Sequence, residues 1–157
     1  MEIQVSKLRD TLKLLQPAIP RKAAIEALKS ILLANGKAMA TDYEIAVSVD
    51  LPEAVEPILV PVRMALDFLE YIPGHQVAHI KVTGKEGVDH EKVDIVVGNT
   101  EATWVTEQAE GFPPINPGEF QYDAVLNGEA LVNALATVSD CAATDDQRVV
   151  LNAVCVT

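Results

Sequence analysis

Hydrophobic residues recur along this chain in two rhythms. Alternation marks strands, and a return every three or four positions marks helices. The opening "MEIQVS" alternates, with Ile3 and Val5 on one face, and predicts a short strand. Ser6 then offers an N-cap to the helix "KLRDTLKLLQ", where Leu8, Leu12 and Leu15 form an apolar stripe and Arg9, Lys13 and Gln16 lie on another face. Pro17 and Pro20 end that helix. "ALKSILL" (27–33) reads as a strand, Asn35-Gly36 as a hairpin turn and Thr41-Asp42 as the next turn, after which Ile45, Val47 and Val49 alternate. "EPILVPV" is a further strand. Pro61 opens a second helix, "RMALDFLEYI", with Leu66, Leu69 and Ile72 as its inner face and Pro73-Gly74 as its stop. Three strands follow: "VAHIKVTG", "KVDIVVG" and "ATWVTEQ". The charged "KEGVDHEK" between the first two reads as a solvated hairpin loop.

"GFPPINPGE" (111–119) is the stretch densest in Pro and Gly, and it predicts a linker with a domain boundary near Gly118. Beyond it come a strand "FQYDAVL", the cap Asn127, a helix "GEALVNALATVSD" and a closing strand "RVVLNAVCVT". This order repeats the start of the chain. At a constant offset of 123 positions Ile3 overlays Leu126, Leu8 overlays Leu131, Leu12 overlays Leu135 and Leu15 overlays Val138, while "ALKSILL" overlays "VLNAVCV". One offset held through strand, helix and strand implies a repeated unit of about 120 residues, complete once and begun a second time. The expected organisation is therefore one domain over 1–117 and part of a second over 118–157. The chain is expected to be a fragment or truncated form, because a closing strand needs a neighbour for its backbone N–H and C=O groups.

Composition sharpens this in two places. Hydrophobic residues make up 49% of the chain and aromatics only 4%, so the core must be aliphatic. The net charge of -11 argues against a general nucleic-acid binder, yet residues 1–37 hold seven of the twelve basic residues and only three acids. A locally basic element on an acidic body can hold a polyanion in one place and repel it elsewhere. The N-terminus lacks an apolar signal region, and no apolar run approaches ~20 residues. Cys141 and Cys155, in apolar company, are expected to be buried. A soluble, reducing, cytoplasmic setting is expected.

Four motifs then fall in a suggestive order: "TDYE" (41–44), "VPVRMALDFLEYIPG" (60–74), "GFPPI" (111–115) and "RVVLNAV" (148–154). Their sequence and spacing resemble the bacterial sliding clamp, the beta subunit of DNA polymerase III, with Ala153 where that family usually has Gly. The resemblance implies an α+β chain of the DNA-clamp fold. Antiparallel sheets would form the outside and two helices per unit the inner face. It implies a non-catalytic processivity factor, in which two chains close head to tail into a ring around duplex DNA. The ring would partner the replicative polymerase and the clamp loader, with no cofactor.

Carried over residue by residue, the resemblance points Arg9, Lys13, Arg21, Lys22 and Arg148 toward DNA. Phe68 and Trp104 fall at the subunit interface, and Leu151 falls on a wall of the partner-peptide pocket, which this chain alone cannot complete. Two departures stand against strong DNA affinity: the turn "GNTEA" (98–102) and the helix 128–139 both lack basic residues. The competing reading is a clamp-like assembly module that does not encircle DNA.

Other chemistry finds little support. His75 and His79 share a strand face about 13 Å apart, with no cysteine cluster to complete a zinc site. Asp145-Asp146 and "DHE" (89–91) place carboxylates in turns with no catalytic partner, and no phosphate-binding or nucleophile motif occurs. No enzyme and no membrane association are expected.

Overall fold

Two antiparallel four-stranded sheets close on a pair of helices in the larger of two units. The computed structural model describes residues 1–23, 25–84, 90–115, 126–142 and 153–154. The chain divides into Met1–Pro117 and Gly118–Thr157. In the first unit the order is β1 (Glu2–Gln4), α1 (Val5–Leu15), β2 (Ser30–Ala34), β3 (Lys37–Thr41), β4 (Ala46–Asp50), β5 (Ile58–Pro61), α2 (Val62–Leu69), β6 (Val77–Thr83), β7 (His90–Val97) and β8 (Thr100–Glu107). One sheet runs β1-β6-β7-β8 and the other β4-β3-β2-β5. The second unit contributes α3 (Gly128–Ser139). The α+β class and clamp-type layering expected from the sequence are what the first unit displays.

The hairpin between β2 and β3 follows from local chemistry. Asn35 and Gly36 sit at φ 53° and 75°, the pair of left-handed conformations that a two-residue type I′ turn requires. The leucine stripe of α1 behaves as its spacing demands: Val5, Leu8, Leu12 and Leu15 are fully buried, each contributing about 1.5–3 kcal/mol of burial. They join Ile31, Leu33, Val60, Ala65, Leu69, Ile80, Val93 and Ile95 in one aliphatic cluster that draws on both helices and both sheets.

The start of α1 differs from expectation. Val5 belongs to the helix, Ser6 lies inside it, and the N-cap is Gln4, whose side chain makes no capping bond. Backbone supplies the cap instead. Val5 N donates to Gln76 O at 2.9 Å and Ser6 N to Gly74 O at 3.0 Å. A Cβ on Gly74 would stand 3.1 Å from Ser6 Cβ, so glycine is what lets this loop reach the helix. The favour is returned at the far end of α2, where one Arg9 Nη2 donates to Leu69 O and Ile72 O, both at 2.6 Å. The loop that follows α2 thus satisfies orphan N–H groups of α1, and a side chain of α1 satisfies orphan carbonyls at the end of α2.

Other expectations shift by a few residues for similar reasons. α2 stops at Leu69, and its buried face is Val62, Ala65 and Leu69, with Leu66 and Ile72 half-buried. Residues 26–29 form a 3-10 turn ahead of β2 rather than strand. His90, Glu91 and Lys92 belong to β7, not to a solvated loop, and Glu91 is buried; residues 85–89 lie outside the described residues. "GFPPI" is not free linker either. Phe112 is buried with Ala27, Leu59 and Ala109, and Ile115 packs against that cluster. It covers the side of β5 that faces away from the helices.

α3 begins where predicted: Asn127 Oδ1 accepts from Ala130 N at 3.0 Å. No residue of α3 is buried: Leu131 and Leu135 are half-buried, and Val132 is 64% exposed. Cys141, which follows this helix, is exposed, contrary to the expectation of a core cysteine. Cys155, Asp145-Asp146, the closing strand and most of "FQYDAVL" lie outside the described residues.

Candidate nucleic-acid interface

Three basic residues of the first unit, Arg21, Lys29 and Arg63, gather where α1 ends and α2 begins. Pro17 turns the chain out of α1 through a 3-10 turn, Gln16–Ala18, and Arg21 and Lys22 follow on exposed backbone. Arg21 shares an open cleft of about 720 Å³ with Lys29 and Arg63, over an apolar floor that includes Ile19, Pro20 and Met64. Among the described residues no carboxylate lines it. The first turn of α2 forms one wall, and its N-cap, Pro61, brings no side-chain acceptor to the open N–H groups there. An anion in this cleft would meet guanidinium groups and a positive helix end together. Lys29 is partly neutralised, with Glu26 at 2.7 and 2.8 Å. Arg21, Lys22 and Arg63 form no ion pair among the described residues.

Sequence reasoning missed Lys29 and Arg63 as members of this group. Arg63 was in view within "VPVR"; a residue just inside a Pro-started helix is bound to sit at the helix's positive end. The other expected contacts are more scattered. Lys13 is exposed on α1. Arg9 is half-buried and its donors are turned inward to the carbonyls of Leu69 and Ile72, which removes them from phosphate contact as the side chain stands. Lys7 is held by Glu53 at 2.6 Å, and that hydrogen bond keeps the Glu53 carboxyl below its usual range. Arg148 and Leu151 lie outside the described residues.

Phe68 and Trp104 come from different elements and meet edge to face, with centroids 5.9 Å apart and planes at 78°. Both are half-buried against the aliphatic core. Trp104 stands on β8, the edge strand of its sheet, next to Val105, which is 61% exposed.

The remaining polar groups read as structure. Asp94 is buried and accepts from Thr103 Oγ1 at 2.7 Å and Thr83 Oγ1 at 2.9 Å, with Lys81 Nζ at 3.7 Å. The Thr103 bond leads in holding its carboxyl below the ordinary range. His79 is on β6 beside Glu2 at 3.3 Å, whereas His75 lies in the turn before that strand, so the two share no strand face. Among the described residues no group of three or more His, Cys, Asp or Glu is placed to hold a metal ion. None of their helices is long and apolar enough to cross a membrane.

No protein-family model matches the sequence, and no curated protein matches it. Solved structures do. A DnaN sliding clamp (DNA polymerase III subunit beta) from Pseudomonas aeruginosa bound to griselimycin superposes with a TM-score of 0.79 at 25% identity, over 97% of this chain and 42% of that chain. The beta subunit from DNA polymerase of Streptococcus pyogenes gives 0.76 at 17% identity, over 95% and 41%. A DnaN sliding clamp from Bartonella birtlesii bound to griselimycin gives 0.76 at 19%, over 94% and 40%. The resemblance read from the four motifs is borne out at the level of fold. The chain spans 42% of the length of the Pseudomonas clamp.

Proposed function

We propose that this chain is sliding-clamp material: clamp domain one over 1–117, the beginning of clamp domain two over 118–157, and a non-catalytic role in holding a replicative polymerase on duplex DNA. The observation that carries the reading is the superposition on clamp chains over 97% of the sequence. The cleft of Arg21, Lys29 and Arg63, together with exposed Lys22 and Lys13, supplies the charge such a role needs on an otherwise acidic protein. The clamp acts in the cytoplasm as a head-to-tail ring, with Phe68 and Trp104 at the subunit contact and Leu151 on the partner-peptide pocket. Arg148 adds to the DNA path.

Phosphate contact predicts its own salt law. Two or three neutralised phosphates give a slope of log K against log salt of about -2 to -3. Titrating a labelled duplex at rising salt measures it, and the double variant Arg21→Glu, Lys22→Glu should abolish low-salt binding. A wild-type chain with no duplex affinity at low ionic strength, or one indifferent to both reversals, would sink the DNA assignment and leave the assembly-module reading.

A further inference from the structure

We infer that Arg9 is a positioning residue: by tying down the C-terminal turn of α2 it seats Phe68 on Trp104 and so sets the state of the half-exposed aromatic patch. Three observations converge. First, α2 has no basic residue in its last turn, while Asp67 and Glu70 stand near its negative end, an arrangement that favours fraying. Second, the cation that meets this end comes from α1, 60 and 63 residues away in sequence, where one Arg9 Nη2 holds the carbonyls of Leu69 and Ile72 at 2.6 Å each. Arg9 Nε is itself buried without a hydrogen-bond partner among the described residues, so the side chain is committed to this position at a cost. Third, Phe68 directly precedes the Leu69 carbonyl that Arg9 grips, and its ring is the edge-to-face partner of Trp104.

Lysine is not equivalent here. Its ammonium is compact and strongly hydrated, whereas the guanidinium is planar and more weakly hydrated, so it is the better cation to hold against two carbonyls in a part-buried position. That Phe68 and Trp104 belong to a subunit contact rests on the ring reading above; the seating of the aromatic pair by Arg9 does not.

Trp104 is the only tryptophan of the chain, so its emission under selective tryptophan excitation and the long-wavelength tryptophan bands of the near-ultraviolet circular dichroism report this seat. Arg9→Gln should move Trp104 emission to longer wavelength and flatten the aromatic dichroism. Arg9→Lys should do so partway. Phe68→Ala should reproduce the change, with no further shift when Arg9→Gln is added. Val49→Ala, a half-buried change on β4 away from α2, serves as a control that lowers stability without moving the signal. If Arg9→Gln lowers the melting temperature and leaves the Trp104 signals where Val49→Ala leaves them, the inference is overturned. Should Arg9→Gln fail to fold, Arg9→Lys decides: a partial shift supports the role and no shift refutes it. The Trp104 signals decide Arg9 whether or not the ring reading stands.

Discussion

Helices α1 and α3 carry their leucines at the same spacing, 123 residues apart, and meet opposite surroundings. In α1, Leu8, Leu12 and Leu15 vanish into a core built from two sheets; in α3 the matching Leu131, Leu135 and Val138 keep part of their surface in water. Their starts differ as well. α1 is capped by the backbone of a distant loop, α3 by its own preceding Asn127. So do their charges: α1 bears Lys7, Arg9 and Lys13, and α3 has a single charged residue, Glu129. An amphipathic pattern states which face seeks cover. It does not state that cover is present, nor that two copies of one pattern will share a function.

The contrast can be put under strain by paired substitutions. The largest difference is expected at overlaid leucines. Leu12→Ala should cost about 2–5 kcal/mol, whereas Leu135→Ala, at a half-buried position, should cost only about 1 kcal/mol. Urea unfolding measures both, and equal losses would mean that α3 is packed as tightly as α1.

Glycine gives a difference in sign. Gly74→Ala forces a Cβ to within 3.1 Å of Ser6 Cβ and should destabilise by about 1–3 kcal/mol as the loop backs away from α1. Gly128, in the first turn of α3, has nothing within 4 Å, so Gly128→Ala should gain up to about 1 kcal/mol of helix propensity. Thermal melts of the first and helicity of the second test the pair, and a stabilised Gly74→Ala would remove the close-approach argument.

The smallest difference concerns the caps. Asn127→Ala should cost α3 about 1 kcal/mol, seen as faster amide exchange at Ala130. Gln4→Ala should leave α1 unchanged, because the Gln4 side chain makes no capping bond.

What could be read from the sequence was what neighbours in sequence decide. Asn35-Gly36 declares its turn by backbone preference alone, Asn127 its cap by a side chain three residues from its partner, and the leucines of α1 their buried face by period. The clamp resemblance was legible because several such local marks recur in one order. Long-range partners were not legible. Ser6 is an ordinary capping residue by type, and only the fold brings the Gly74 and Gln76 carbonyls to make it redundant. Arg9 looks like a surface cation until α2 is placed beside it. Phe112 sits in Pro-rich sequence of linker composition, yet Leu59 and Ala27 need a cover and Phe112 supplies it. The cleft escaped notice for the same cause, since Arg63 is far in sequence from Arg21 and Lys29 and meets them through Pro17 and Pro61.

The exchange of caps between α1 and α2 also bears on how the first unit opens. Helix ends ordinarily fray alone and at little cost, so their amides exchange early. Here the N–H groups of Val5 and Ser6 are held by the loop that follows α2, and the last carbonyls of α2 are held by a side chain of α1. Neither end can come loose without loosening the other helix. The two should therefore exchange as one cooperative block, with the amides of Val5 and Ser6 protected nearly as long as those of the central strands.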